Sequence, residues 1–212
     1  MRLFLFSLLT TFFLGSCSNN KKEVPKDNIP LVKTDSLLVT DSSWGPIDRK
    51  TDFPGLEKIY GKANLKDVWI CGAECLDTVL VTKIFEDMPG EMVVFWRDSA
   101  FHKKIARIEN YKPGSPYHTN AGLKNGSTLN DLLKANGQKI SFSGFGWDYG
   151  GGIISYNKGK LDSSSINFRL DISGSPSDSL FGDTELDTDM PLVKKVLDNV
   201  YSSYISLSFY ED

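Results

Sequence analysis

Asp148 lies between Trp147 and Tyr149 in the stretch Ser143-Gly-Phe-Gly-Trp-Asp-Tyr-Gly-Gly-Gly152. In an extended chain Phe145, Trp147 and Tyr149 share one face, and the other is nearly bare backbone with Asp148 as its functional group. Exposed, such a row of rings stacks on a sugar or a partner surface, and the carboxylate beside it can serve as an acid. Buried, the same row is core packing, with the glycines admitting a neighbouring element at close range. Hydrolysis would require a second carboxylate facing Asp148 across a cleft. Ile140 and Phe142 occupy even positions and the three rings odd ones, so the inward face changes near Ser143-Gly144, which predicts a bulge there. The stretch reads first as a bent core strand, with Trp147, Asp148 and Tyr149 as the candidate binding residues.

Other reactive groups are few. Cys71 and Cys75 form an even pair four residues apart, which reads as a disulfide in an exported chain. An extended strand holds such positions too far apart, so Cys71-Gly-Ala-Glu-Cys75 must turn; the closed loop contributes about 2 kcal/mol. The pair lacks the Cys-x-x-Cys spacing of redox-active thiols. His102 and His118 lie near neither cysteine nor in a His-x-x-x-His pair, so no metal site is expected. Gly150-Gly-Gly152 precedes no helix and reads as a bend rather than a phosphate cradle. Asp183-Thr-Glu-Leu-Asp-Thr-Asp189 alternates acidic groups but departs from the order of an EF-hand, and reads as a solvated loop with Asp189 capping a helix. No cofactor is expected.

The elements that would position these groups follow from periodicity and punctuation. Asp52 to Gly61 predicts a short capped helix, and Gly126 to Gly137 another, with Leu129, Leu132 and Leu133 on one side. Asp189 to Val200 predicts the longest helix, with Leu192, Val193, Val196, Leu197 and Val200 on one stripe. Strands are expected over 68–70, 79–85, 92–96, 104–111, 140–145, 153–156, 166–172 and 204–209, and a hairpin-type turn at 157–160. The fold class is α+β, short helices packed on antiparallel sheet. Phe53-x-x-Leu56-x4-Gly61 matches Leu129-x-x-Leu132-x4-Gly137, which suggests two degenerate αβββ repeats, at 51–111 and 122–172.

The N-terminus carries an address. Arg2, the apolar run Leu3–Leu14 and a small-residue site form a secretory signal too short to span a bilayer. Leu14-Gly15-Ser16-Cys17 resembles a bacterial lipobox, which implies cleavage after residue 16 and a Cys17 acylated into the membrane, in a cell-envelope and preferentially outer-membrane location. Residues 17–43, polar and broken by Pro25 and Pro30, read as a tether, and 44–212 as one domain. A formal charge of −3, with 40% hydrophobic and 12% aromatic residues, describes a chain able to build a core and argues against a nucleic-acid partner.

Gly122-Leu-x-x-Gly126-Ser-Thr-x-x-x-Leu132-x4-Gly137 is similar to the repeat of SmpA/OmlA outer-membrane lipoproteins and β-lactamase inhibitor proteins. That resemblance implies a glycine turn capping a short helix on a small antiparallel sheet. The longer stretch to Gly152 resembles uncharacterised lipoproteins of Bacteroidetes-type bacteria, which implies an envelope address. Together these readings predict a non-catalytic binding or assembly module, held to the bilayer through Cys17, with an envelope protein as its partner. The alternative is a carbohydrate-binding or hydrolytic protein acting through 143–152.

Overall fold

The fold was taken from a computed structural model that describes residues 35–72, 75 and 77–209. The expected signal, Cys17 and the expected tether up to residue 34 lie outside the described residues. In chain order the elements are β1 (Leu38–Val39), β2 (Ser43–Trp44), β3 (Ile47–Asp48), α1 (Phe53–Tyr60), β4 (Leu65–Cys71), β5 (Thr78–Ile84), β6 (Met92–Trp96), β7 (Ile105–Asn110), β8 (His118–Thr119), α2 (Leu129–Asn136), β9 (Ser141–Ser143), β10 (Ile153–Ser155), β11 (Ile166–Ile172), β12 (Glu185–Asp187), α3 (Pro191–Lys194) and β13 (Val200–Ser208). The fold is α+β, dominated by strand.

Six strands form the main sheet in the order β11-β13-β7-β6-β5-β4, and two smaller sheets run β3-β2-β1-β8 and β10-β9-β12. Alternation decides what each face does. Ile166, Phe168 and Leu170 of β11, Ile205 and Leu207 of β13 and Val94 of β6 enter one core with Leu56 of α1 and Leu129 and Leu132 of α2. The opposite face is uneven. Val81, Val93 and Phe95 make a second cluster with Val68, Ile70 and Val79 at the β4 end. Towards β11 that face turns polar and aromatic, through Arg107, Tyr204 and Arg169.

Local signals set the first two helices. The Asp52 side chain accepts from the Gly55 amide at 2.9 Å to start α1, and Gly61, at φ +81°, ends it. Thr128 and Asp131 form a reciprocal capping box on α2, and Gly137 closes it in the left-handed region at φ +74°. The buried Asn136 then ties the end of α2 to the next elements. Its Nδ2 donates to the carbonyls of Gln138 and Tyr156, both at 2.8 Å, and its Oδ1 accepts from the Leu161 amide at 3.1 Å.

Three expectations are corrected. The helix expected over 189–200 is the four residues of α3, and its cap position is Met190 rather than Asp189. Past Lys194 the amides bond three residues back, Val196 to Val193 and Asn199 to Val196, so the chain runs on as turns, and the Asn199 carbonyl accepts from Ser173. Residues from Val200 onward join β13 instead, so the last strand is nine residues long rather than six. The tether boundary also moves: β1, inside the 17–43 segment, pairs in parallel with β8, and Val39 is in the core. Glu185–Asp187, read as a solvated acidic loop, is strand β12, paired with β9 through Leu186↔Phe142.

The strands following the two matched helices are arranged differently. β4 to β7 run as neighbours in one sheet, whereas β9 and β10 lie in the small sheet and β11 in the main one.

Candidate functional site

The aromatic stretch is a strand only at its start. Ser143 donates to the Gly152 carbonyl at 2.8 Å, Gly144 to that of Thr184 at 2.8 Å and Phe145 to that of Leu180 at 2.9 Å. Phe145 is 3% exposed and packs between Phe142 and Phe181, with centroids 5.8 and 6.3 Å away. The inward face thus changes between Phe142 and Phe145, as parity requires, but the chain leaves the ladder to do so. The register irregularity sits across the pair, in β10 between Ile153 and Ser155. Gly146, at φ +82°, then turns the chain, and a Cβ there would press on the Phe181 ring at 2.9 Å.

Residues 147–151 form a turn, closed by the Gly150 amide on the Trp147 carbonyl at 2.9 Å and the Gly151 amide on Ser143 at 3.0 Å. The expected row of three rings on one face is therefore absent. Trp147 is half-buried, donates Nε1 to the Gly144 carbonyl at 2.9 Å and meets Tyr149 edge-on at 5.4 Å. Tyr149 is 60% exposed, and Asp148, at the tip, is exposed too. The extended form would need ladder partners for 146–150. Glycines at 146, 150 and 151 let the chain fold on itself instead, and its carbonyls find a different donor.

That donor is Arg169 on β11. Its Nε donates to the Gly150 carbonyl at 2.8 Å and its Nη2 to that of Asp148, stapling the turn to the sheet. Between turn and sheet lies a groove of about 440 Å3, lined by Tyr111, Trp147, Arg169, Asp171, Ser203 and Tyr204 among others. The pairing of β11 with β13 runs Arg169↔Tyr204 and then Leu170↔Ser202, so Ser203 is an extra residue in a bulge at the groove floor. Tyr204 and Tyr111 meet at 5.1 Å, and the Tyr111 hydroxyl donates to Glu109, which also holds Arg107 Nε at 2.7 Å. Burial, and then the Glu109 charge, push the Tyr111 and Tyr204 phenols up, so both are neutral donors at ordinary pH. Burial, and then Asp171, raise Tyr201 on the same strand.

Of the candidate binding residues, Trp147 lines the groove, Tyr149 braces it, and the Asp148 side chain is absent from its walls. Asp171 is the one carboxylate among the lining residues. Sequence reading missed Tyr111, Arg169, Asp171, Ser203 and Tyr204. Their signal was phase: Arg169 and Asp171 alternate with the inward Phe168 and Leu170, and Tyr204 precedes inward Ile205. An aromatic and an arginine facing outward on neighbouring strands mark a surface.

Elsewhere Cys71 and Cys75 are bonded, Cα atoms 4.7 Å apart, in the turn beyond β4. Among the described residues no group of three or more His, Cys, Asp and Glu side chains could hold a metal, and no helix is long and apolar enough to cross a membrane. β4 is the terminal strand of the main sheet, and its second half is apolar on both faces. Trp69 is 67% exposed on one, while Val68 and Ile70 join Val79 on the other.

No family model matches the chain, and no curated protein matches its sequence. Among solved structures, the crystal structure of the uncharacterized protein yfeY from Escherichia coli is similar, at a TM-score of 0.50 and 15% identity over 81% of this chain and 99% of that one. That likeness concerns the fold alone.

Proposed function

We propose that the protein is a non-catalytic binding and assembly module of the cell envelope, anchored in the outer membrane by an acylated Cys17, that docks an extended segment of an envelope protein along β4. The observation that carries this reading is the edge itself. A terminal strand presents unpaired backbone groups, and β4 offers them beside a largely exposed Trp69 and the Val68–Ile70 side chains. Charged residues usually blunt such an edge, and here Lys66 and Asp67 guard only its first half. Main-chain pairing would give affinity, and apolar residues at alternate positions of the partner would give register.

A photo-crosslinking residue at Trp69 in intact cells tests the docking. The expected product is a discrete adduct with another envelope protein, lost on Ile70→Asp and absent when the probe replaces exposed Lys158. An adduct of twice the chain's own mass, or none, refutes it. The anchor is tested separately: Cys17→Ser should move the protein to the soluble fraction, and continued membrane retention rules out acylation as the attachment. The shared helix pattern, Phe53/Leu56/Gly61 and Leu129/Leu132/Gly137, supports two degenerate repeats as the origin of the domain.

A further inference from the structure

The groove under the Trp147 turn lies among β7, β13 and β11, and its chemistry differs from that of the β4 edge. We infer that it is a saccharide-binding site, taking a neutral oligosaccharide whose rings lie against Trp147 and the Tyr111–Tyr204 pair. The inference stands apart from the docking reading of β4.

The walls carry the choice of ligand. A pyranose presents patches of C–H on its faces and hydroxyls around its rim. The first need aromatic rings and the second need donors and acceptors in between. Tyr111, Trp147 and Tyr204 supply rings from three separate elements, with Asp171 and Ser203 set among them. A purely apolar ligand would cover the Asp171 carboxylate and take water from the lone pairs that its protein partners leave open, which is unfavourable. An anionic ligand would need a cation to spare. Arg169 directs Nε and Nη2 to the carbonyls of Gly150 and Asp148, and the Asp171 carboxylate in the same lining would repel an anion. What fits is a neutral polyol.

The geometry is held in advance. The Trp147 indole is fixed by its bond to Gly144, the turn by Arg169, Tyr111 by Glu109, and Ser203 by its 3.2 Å bond to the Arg169 carbonyl. Rings already in place lose little conformational entropy when a ligand arrives. Asp171 Oδ1 accepts from the Ile172 amide at 2.7 Å, and Tyr201 bonds the carboxylate as well. A carboxylate has room for about four such bonds, so it can still accept sugar hydroxyls.

The test uses the full-length protein in detergent, titrated with tetraoses of β-1,4-linked N-acetylglucosamine, β-1,4-linked glucose and α-1,4-linked glucose. Tryptophan fluorescence and calorimetry follow binding. At least one tetraose should bind with a Kd on the order of 0.1–1 mM. Trp147→Ala and Asp171→Asn should each weaken it about tenfold in protein that still unfolds cooperatively well above the assay temperature, and Trp69→Asp should leave it unchanged. If Trp147→Ala does not fold, Tyr111→Ser gives the same reading. Absence of binding for all three up to ~10 mM overturns the inference. So does binding that survives both groove substitutions within about twofold, or that is lost with Trp69→Asp.

Discussion

Asn136 and Gly159 should be energetically coupled, and the sign of the coupling follows from their contact. The Asn136 side chain, 1% exposed, joins the end of α2 to residues before β9 and after β10, and so sets the base of the hairpin that carries the Trp147 turn. Asn136→Ala removes four hydrogen bonds, a long one to the Lys139 carbonyl at 3.5 Å and three shorter ones worth about 1 kcal/mol each, and leaves the Tyr156 carbonyl without this donor; Gln138 is exposed and regains water. The net loss should be about 2–4 kcal/mol. Gly159 has a backbone that any residue can adopt, yet a Cβ there would overlap the Asn136 amide. Gly159→Ala should therefore cost about 2 kcal/mol through that clash alone. In the Asn136→Ala background the amide is gone, so the added methyl enters vacated space. The double variant should be more stable than the sum of the single losses by about 1–3 kcal/mol. Urea unfolding at a common m-value measures all four corners of the cycle. Additivity within about 0.5 kcal/mol would refute the contact as the source of either effect.

Glycine positions give a second contrast. Gly151→Ala should lose more than about 2 kcal/mol, because positive φ costs about 1 and the new Cβ would also overlap the Leu170 carbonyl. Gly137→Ala, with equal φ strain and open space around it, should lose only about 1 kcal/mol; equal losses in chemical denaturation would show that the Leu170 contact is unimportant. Alkali should unfold the protein. Burial raises the phenols of Tyr60, Tyr111, Tyr156 and Tyr204 and pushes Tyr117 up to about 12. Their stabilisation is whole below pH 10, the ordinary tyrosine value, and is lost as pH rises towards the folded values. Tyrosinate absorbance should therefore rise together with loss of circular dichroism, and ionisation of Tyr60, Tyr117, Tyr156 and Tyr204 well before unfolding would contradict their burial; Tyr111, 46% exposed, is not part of that test. Reducing Cys71–Cys75 should lower the thermal midpoint by only about 4–8 °C, since so short a loop contributes about 2 kcal/mol. Global unfolding under mild reductant would mean the turn organises far more of the sheet than its position implies.

The sequence determined by itself what is governed by neighbours a few residues apart. The caps of α1 and α2, the β-branched run of β5, the apolar run of β6, the alternation of β11 and the turn at Cys71–Cys75 are local, and each was readable from spacing and residue type. Only the tertiary structure decided the rest. α3 stops at four residues although its apolar stripe runs on to Val200, because the chain turns over 196–199 and β11 and β7 offer β13 a ladder from Val200 onward. The aromatic stretch is a turn, because no strand pairs with 146–150 and Arg169, nineteen residues beyond Gly150, takes its carbonyls. The groove joins Tyr111, Trp147, Asp171 and Tyr204 across 93 residues of chain, counted from 111 to 204. Hydrogen-bond partners and groove walls so far apart in sequence leave no periodic signal, and only strand order brings them together.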